Sequence, residues 1–186
     1  MNQTTREILH GFEKKVKSYV PKPMYRDDAY VKIAIIEAIN AAMKGNFGVG
    51  ALLVDNDGKI IVRGHNHVFS PYFRSDLHAE MDVMNKFEKR YKNAKNVKTL
   101  TLYTSLEPCP MCFARLMTSG VRTIYYAAKD IEGGMVHKLK DMPKVWIDIA
   151  RRQEFALARC SSELRIISMK VFETTVVENN DKLMNH

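Results

Sequence analysis

The sequence predicts an α/β fold: a three-layer α/β/α sandwich on a mixed, mostly five-stranded sheet, with extra N-terminal and C-terminal helices. Three observations predict it. Residues 27–44 read as a helix that is apolar on most of its faces (Val31, Ile33, Ala34, Ile35, Ala38, Ile39), the pattern of a helix buried between layers. Two short strands follow, joined by the hairpin signal Asn56-Asp57-Gly58. A strand, a helix and a second strand then occupy the stretch from Val97 to Ala128, the order of a parallel crossover. A hairpin and a crossover in one sheet make it mixed.

The elements follow in order. Thr5 to Tyr19 spaces Ile8, Phe12 and Val16 four apart, an amphipathic helix with Thr4 or Thr5 as N-cap. Val20-Pro21-Lys22-Pro23 breaks it. After the apolar helix, Asn46-Phe47-Gly48-Val49-Gly50 leads into a strand over 51–55, and the returning strand covers 59–64. His65-Asn66-His67 ends that strand, and 68–77 reads as a loop carrying Phe69, Pro71, Tyr72 and Phe73. A helix starts at His78 and runs to Tyr91, burying Met81, Met84 and Phe87. Val97 to Thr104 is rich in threonine and β-branched or aromatic residues, as strands are. Pro110 suits a first helical turn, and Gly120 suits the cap that ends the same helix. Val121 to Ala128 is a fourth strand. Residues 129–143 read as a loop with Gly133-Gly134, 146–152 as a helix and 155–158 as a short fifth strand. A last helix opens at Ser161 and runs to Val176. Leu164, Ile167 and Val171 form its apolar stripe, broadened by Ile166, Met169 and Phe172. No repeat or internal boundary appears, so the expectation is one domain over 1–186, with a helical extension (1–26), a core (27–128) and a C-terminal loop and helices (129–186).

Composition narrows the class. Of the 186 residues 46% are hydrophobic and 27% charged, as in ordinary globular chains, and no apolar run is long enough to span a bilayer. The N-terminus has no apolar signal core, and three cysteines make no disulfide framework. A cytoplasmic protein without a membrane partner is the expectation. The net charge of +8 raises the prospect of an anionic partner such as tRNA or a nucleotide. The richest basic stretch (Lys86, Lys89, Arg90, Lys92, Lys95, Lys98) is interrupted by Glu88 and lies between a helix and a strand, where a solvated connector is the plainer reading.

Chemistry concentrates in His78-Ala79-Glu80 and Pro108-Cys109-Pro110-Met111-Cys112. Cys109 and Cys112, three apart at a helix start, share one face with Cβ atoms ~5–6 Å apart and can grip one ion. A helix N-terminus favours both sulfurs as thiolates. His78 adds an imidazole. Two thiolates and a histidine balance Zn²⁺ and leave a fourth position open, as in catalytic zinc sites. Glu80 stands too near His78 in sequence to share that ion, and is placed to take a proton from water there. The bland alternative is a structural zinc. It would need a fourth protein ligand, for which only the distant Cys160 offers itself, and it gives Glu80 no task. The backbone N–H of Ala79, at a helix start, is a donor suited to a base carbonyl. Phe47, Phe69 and Phe73 are candidates to stack on a base, or simply core. His65 and His67 are not assigned to the metal. Asp130 and Glu132 follow the fourth strand, at the end where such sheets bind ligands, and read either as substrate contacts or as solvated loop.

The pattern His-x-Glu followed by Pro-Cys-x-x-Cys resembles the signature of zinc nucleobase deaminases, so over residues 28–128 the chain resembles the cytidine-deaminase-like superfamily. Tyr103 to Cys112 is most similar to the branch that holds tRNA adenosine deaminases, guanine deaminases and fungal cytosine deaminase. The resemblance implies the same three-layer fold, one Zn²⁺ per chain held by His78, Cys109 and Cys112, and Glu80 as the proton shuttle in replacing an exocyclic amine by a carbonyl with release of ammonia. It implies a substrate contact at Asn66, whose plainer role is a loop cap, and a homodimer formed through the helices after both zinc stretches.

The substrate reading favoured by the residues is a free nucleobase or nucleoside, purine and guanine-type. Gly45-Asn46-Phe47-Gly48 and Tyr103-Thr104-Ser105 resemble guanine deaminases. The alternatives are a tRNA wobble adenosine deaminase, which Ser119 to Ala128 and the positive charge favour, and a cytosine- or cytidine-type deaminase. The cytidine-type reading lacks the Arg-Gln continuation after Cys112, where Phe113-Ala114-Arg115 stands. A non-catalytic zinc-stabilised subunit is the reading from another class, and Glu80 weighs against it. Arg115 stands where related enzymes usually have a small residue, a departure that weighs against carrying over the family's substrate and dimer contacts.

Overall fold

A computed structural model of the protein describes residues 3–94 and 96–185; Lys95, expected in the basic stretch, lies outside them. The elements run α1 (Gln3–Ser18), α2 (Asp28–Met43), β1 (Gly50–Val54), β2 (Ile60–His65), α3 (Ala79–Arg90), β3 (Thr101–Leu106), α4 (Pro110–Ser119), β4 (Thr123–Ala128), α5 (Lys144–Ala150), β5 (Glu154–Leu157) and α6 (Ser162–Met184). The sheet order is β2-β1-β3-β4-β5. β1 is antiparallel to β2 and β3, and β3, β4 and β5 are mutually parallel, so the sheet is mixed as expected.

Alternation along the strands builds two cores. Leu52, Val54, Tyr103, Tyr125 and Ala127 face one layer, made of α1, α2 and α6. Ala51, Leu53, Leu102, Ile124 and Ala128 face the other, made of α3 and α4. α2 buries one broad face (Val31, Ala34, Ile35, Ala38, Ile39, Ala42), while Ile33 and Ile36 at its edges are only partly buried against the same core. Its first turn anchors two other segments through three hydrogen bonds. The Asp28 carboxyl accepts from the Tyr19 hydroxyl at 2.6 Å, from the Lys22 N–H at 3.1 Å and from the Ser161 N–H at 2.7 Å. The N-terminal extension and the start of α6 are thereby tied to α2. Among the described residues no helix is long and apolar enough to cross a membrane.

Several elements depart from the sequence expectation. α1 begins at Gln3, so Thr4 and Thr5 lie inside its first turn, and its buried face carries Leu9 and Val16 while Ile8 is 45% exposed. The α2–α6 surface selects the Leu9–Phe12–Val16 stripe over its neighbour. β3 begins at Thr101, because β1 ends opposite it at Val54; residues Val97–Thr99 form a 3₁₀ turn instead. Another 3₁₀ segment, Val136–Asp141, occupies the expected loop. α6 runs to Met184, two turns beyond Val176, and Ile166 is 55% exposed rather than part of its buried stripe.

Candidate active site

The metal-donor residues sit where two helices begin. His78 is extended (φ −69°, ψ 168°) immediately before α3, and Cys109 is extended (φ −68°, ψ 169°) immediately before α4. Pro110 fills the first helical position of α4, and Cys112 lies one turn in. Both helix N-termini therefore turn their unpaired N–H groups and positive dipole ends towards the same point, a setting that favours anionic sulfur. His78 Nδ1 lies 3.5 Å from Cys109 Sγ and 3.6 Å from Cys112 Sγ, and the three donor atoms are all within 4.8 Å of one another. The donor set fits zinc. Bonds of about 2.3 Å to sulfur and 2.0–2.1 Å to nitrogen at the tetrahedral angle separate S and N by about 3.5 Å.

The donors hold charge unevenly by themselves. A hydrogen bond from Cys112 pushes the Cys109 thiol down to about 4, against the opposing effect of burial, and His78 adds to the lowering. The same bond to Cys109, together with burial, pushes Cys112 well up. The two adjacent buried sulfurs thus shift in opposite directions, the one that accepts the hydrogen bond downward and the one that donates it upward. Burial presses the His78 imidazole down, but the Cys109 sulfur outweighs it and the net shift is upward.

Glu80, in the first turn of α3, is 3% exposed. Its Oε1 accepts a hydrogen bond from the Thr104 hydroxyl of β3 at 3.2 Å. Burial, and then the Cys109 charge, raise its carboxyl above the ordinary range. A buried carboxyl that takes up a proton readily is the form general acid–base chemistry needs.

These residues floor a cavity of about 420 Å³, within the size range of small-molecule sites. Asn66 lines it, buried, and also caps the following loop: its Oδ1 accepts from the Val68 N–H at 3.0 Å. The structure shows the loop-cap role, and the side chain also borders the cavity. Phe47 lines the cavity, whereas Phe69 and Phe73 stack behind it, with ring centroids 5.7 and 6.0 Å apart in succession. The Ala79 side chain is buried in the core and is not part of the lining; only its backbone, at the start of α3, remains available for the expected contact. Asp130 and Glu132 do line the cavity. His65 and His67 stack on each other at 4.3 Å and pair with Glu37 and Asp82, away from the donors. Cys160 lies beside Arg165 and is not in the donor group, so among the described residues that group has three protein ligands. Arg115 ties α4 to α3 through Glu88 at 2.6 Å.

The sequence points to the C-terminal helix as part of the pocket but names none of its lining residues. Phe172, Val176, Asn180 and Leu183 of α6 line the cavity opposite the donors. Their spacing of four, four and three marks one helical face, and that face continues past the last turn that packs on the core. Glu107, between β3 and Pro108, was also missed; its side chain is fully buried.

Two thiol sulfurs and an imidazole beside a buried carboxyl, at the floor of a cleft, are the arrangement of a metal-dependent hydrolase. Residues 24–128 match the model of the cytidine and deoxycytidylate deaminase zinc-binding region, and the chain belongs to this family of zinc-dependent deaminases. It is 41% identical over 111 residues to a tRNA-specific adenosine deaminase of Bacillus subtilis, covering 60% of this chain and 67% of that protein. It is 34% identical over 93 residues to a guanine deaminase of the same organism, covering 50% of this chain and 56% of that protein. A structure from work on A-to-I editing by tRNA:A34 deaminases at the wobble position aligns with a TM-score of 0.64 and 25% identity, covering 77% of this chain and 98% of that one.

Proposed function

We propose that the chain hydrolyses the exocyclic amine of adenine at the wobble position of tRNA, with one zinc ion per chain held by His78, Cys109 and Cys112. The observation that carries the chemistry is Glu80, buried at the cavity floor beside the donor trio and held by Thr104. Zinc in such a site supplies a Lewis acid that activates water near neutral pH. Glu80 would take one proton from water and pass it to a ring nitrogen, then take the second proton from the hydroxyl added to the ring carbon and deliver it to the departing amine, which leaves as ammonia. Asn66 and the Ala79 N–H orient the base, and Phe47 packs on its ring. The reducing interior of the cytoplasm suits three unpaired cysteines.

The substrate assignment rests on the greater likeness to tRNA-specific adenosine deaminases than to the guanine deaminase, and on the net charge of +8. This reverses the preference for a guanine-type substrate drawn from Tyr103-Thr104-Ser105. Among the described residues the cavity lining includes no lysine or arginine, so the basic surface meets the nucleic acid outside and the base alone enters. One observation keeps guanine as the second reading: Asp130 and Glu132 place acceptors in the wall, and guanine offers an N–H-rich edge. A homodimer through α3 and α4 accompanies either reading.

The test is ammonia release by the zinc-loaded protein from tRNA, free bases, nucleosides and nucleotides, with Glu80→Gln as control. Activity on tRNA that falls steeply with salt supports the editing reading. Salt-insensitive turnover of free guanine replaces it, and unchanged turnover in Glu80→Gln removes Glu80 from the chemistry.

A further inference from the structure

We propose that Glu107 and His137 form a clamp that fixes the cavity wall carrying Asp130 and Glu132 in position for substrate binding. The proposal rests on the deaminase reading above and assigns it a positioning device.

Glu107 directly precedes the Pro108-Cys109 donor loop, and its carboxyl group has no exposed surface. A carboxyl is costly to bury unless its oxygens are hydrogen-bonded. Here they are, and the partners belong to a distant part of the chain. Oε2 accepts from the Asp130 N–H at 3.1 Å. Oε1 accepts from the His137 N–H at 2.9 Å and, with that ring nitrogen protonated, from His137 Nδ1 at 2.8 Å. Asp130 and His137 bracket the wall segment, so one side chain holds both of its ends.

The segment between them is preshaped around this grip. Asp130 Oδ1 accepts from the N–H groups of Glu132 and Gly133 at 3.2 and 2.9 Å, and the Met135 N–H donates to the Pro108 carbonyl at 2.9 Å. Gly134 passes so close that a Cβ there would lie 2.5 Å from the Asp130 carbonyl oxygen and 2.6 Å from Glu107 Cδ. Asp130, Glu132 and Gly133 then face the cavity. Glu107 is not one of the donor trio. Its bonds therefore tie the wall that carries Asp130 and Glu132 directly to the donor loop, so a base seated over Glu80 meets acceptors at a fixed distance. A wall held in advance lowers the ordering cost of binding. Loosening it should weaken binding more than it slows the chemical step.

The experiment compares wild type with His137→Phe, which keeps the ring and removes its N–H, and with Glu107→Gln and Gly134→Ala. Zinc content, thermal midpoint, amide hydrogen exchange over 129–137, and kcat and KM on the substrates turned over by wild type are measured. The clamp predicts faster exchange over 130–134 in all three variants and unchanged zinc content in His137→Phe. For that variant KM should rise about tenfold, while kcat stays within about twofold. Unchanged exchange overturns the proposal. So does a lowered thermal midpoint with wild-type KM in His137→Phe, which would leave Glu107 a structural anchor only. A wild-type protein that is zinc-loaded yet inactive on every substrate fails the deaminase reading itself, a result that no variant can mimic.

Discussion

Replacing Thr104 by valine should slow the chemical step about tenfold without unfolding the protein. Thr104 is fully buried on β3, opposite Ala51 on β1 and Tyr126 on β4. Its hydroxyl donates to Glu80 Oε1 at 3.2 Å. Valine has nearly the same shape and the same preference for strands, so it opens no cavity and keeps the ladder. What is lost is one donor to a carboxyl that has to hold its orientation while it gains and loses a proton. Hydrogen bonds to charged groups contribute roughly 1.5–3 kcal/mol, and the 3.2 Å separation places this one at the weak end, about 1.5 kcal/mol. That difference corresponds to about tenfold in rate. Valine also removes a buried hydroxyl, so the stability change should stay within about 1 kcal/mol. The assay is kcat by ammonia release, beside a thermal melt and metal analysis, for Thr104→Val and Thr104→Ser. Serine keeps the hydroxyl and should retain most of the rate. A valine variant with wild-type kcat, or a serine variant equally slow, would refute the positioning role.

Three other outcomes follow from the same geometry. Gly50→Ala should leave little folded protein, because a Cβ there would collide with the Ala34 carbonyl and the Ala38 N–H of α2; soluble yield and circular dichroism read this directly. Stripping the metal with a chelator should lower the thermal midpoint as well as abolish activity, since the donors of two separate helix starts lose their common ligand, and added zinc should restore both. The Glu37–His65 pair should carry a pH-dependent part of the stability. Burial presses the Glu37 carboxyl upward, but the hydrogen bond and charge of His65 outweigh it and the net shift is downward. A depressed folded pKa stabilises above the ordinary carboxylate value and loses that contribution as pH falls through the folded value. Urea midpoints of wild type and Glu37→Gln should therefore draw together as pH falls below the ordinary carboxylate value of about 4.5 and meet only below the lower folded value; a gap unchanged by acidification would exclude the pair as its source.

Local chemistry made much of the fold readable. The Asn56-Asp57-Gly58 turn is closed by Asp55, whose carboxyl accepts from the N–H groups of Asp57 and Lys59, with Gly58 at φ +80°. Pro110 and Gly120 bound α4, the glycine at φ +82°. Each signal has its partner within a few residues. The length of α6 has no such signal. Beyond Val176 the sequence reads Val177-Glu178-Asn179-Asn180-Asp181-Lys182, with no apolar period to extend the pattern. The helix continues there on local pairs such as Glu178–Lys182 at 2.6 Å. The buried face of α1 was unreadable for a different reason. Ile8 and Leu9 are equally apolar, and only the surface of α2 and α6 decides between them.

The site divides along the same line. His78, Glu80, Cys109 and Cys112 are legible because the chemistry demands rare residue types at short spacings, and the helix starts that position them are coded in place. The walls are built otherwise. Phe172, Val176 and Leu183 are ordinary apolar residues whose role arises only when α6 lies over the cavity. Glu107 sits inside the most informative stretch of the sequence, yet its partners are 23 and 30 residues away and share no spacing rule with it. The clamp proposed for it is therefore invisible until the chain is folded. The division has a consequence for this chain. The floor contains little that can distinguish one amino-substituted base from another, since donors and shuttle serve any of them. On the proposed reading, discrimination falls to the rest of the lining, Asn66 and Phe47 together with the 130–133 wall and the distal turns of α6, so substitutions there should exchange substrates while leaving zinc content intact, and substitutions at His78, Glu80, Cys109 or Cys112 should remove turnover of all substrates together.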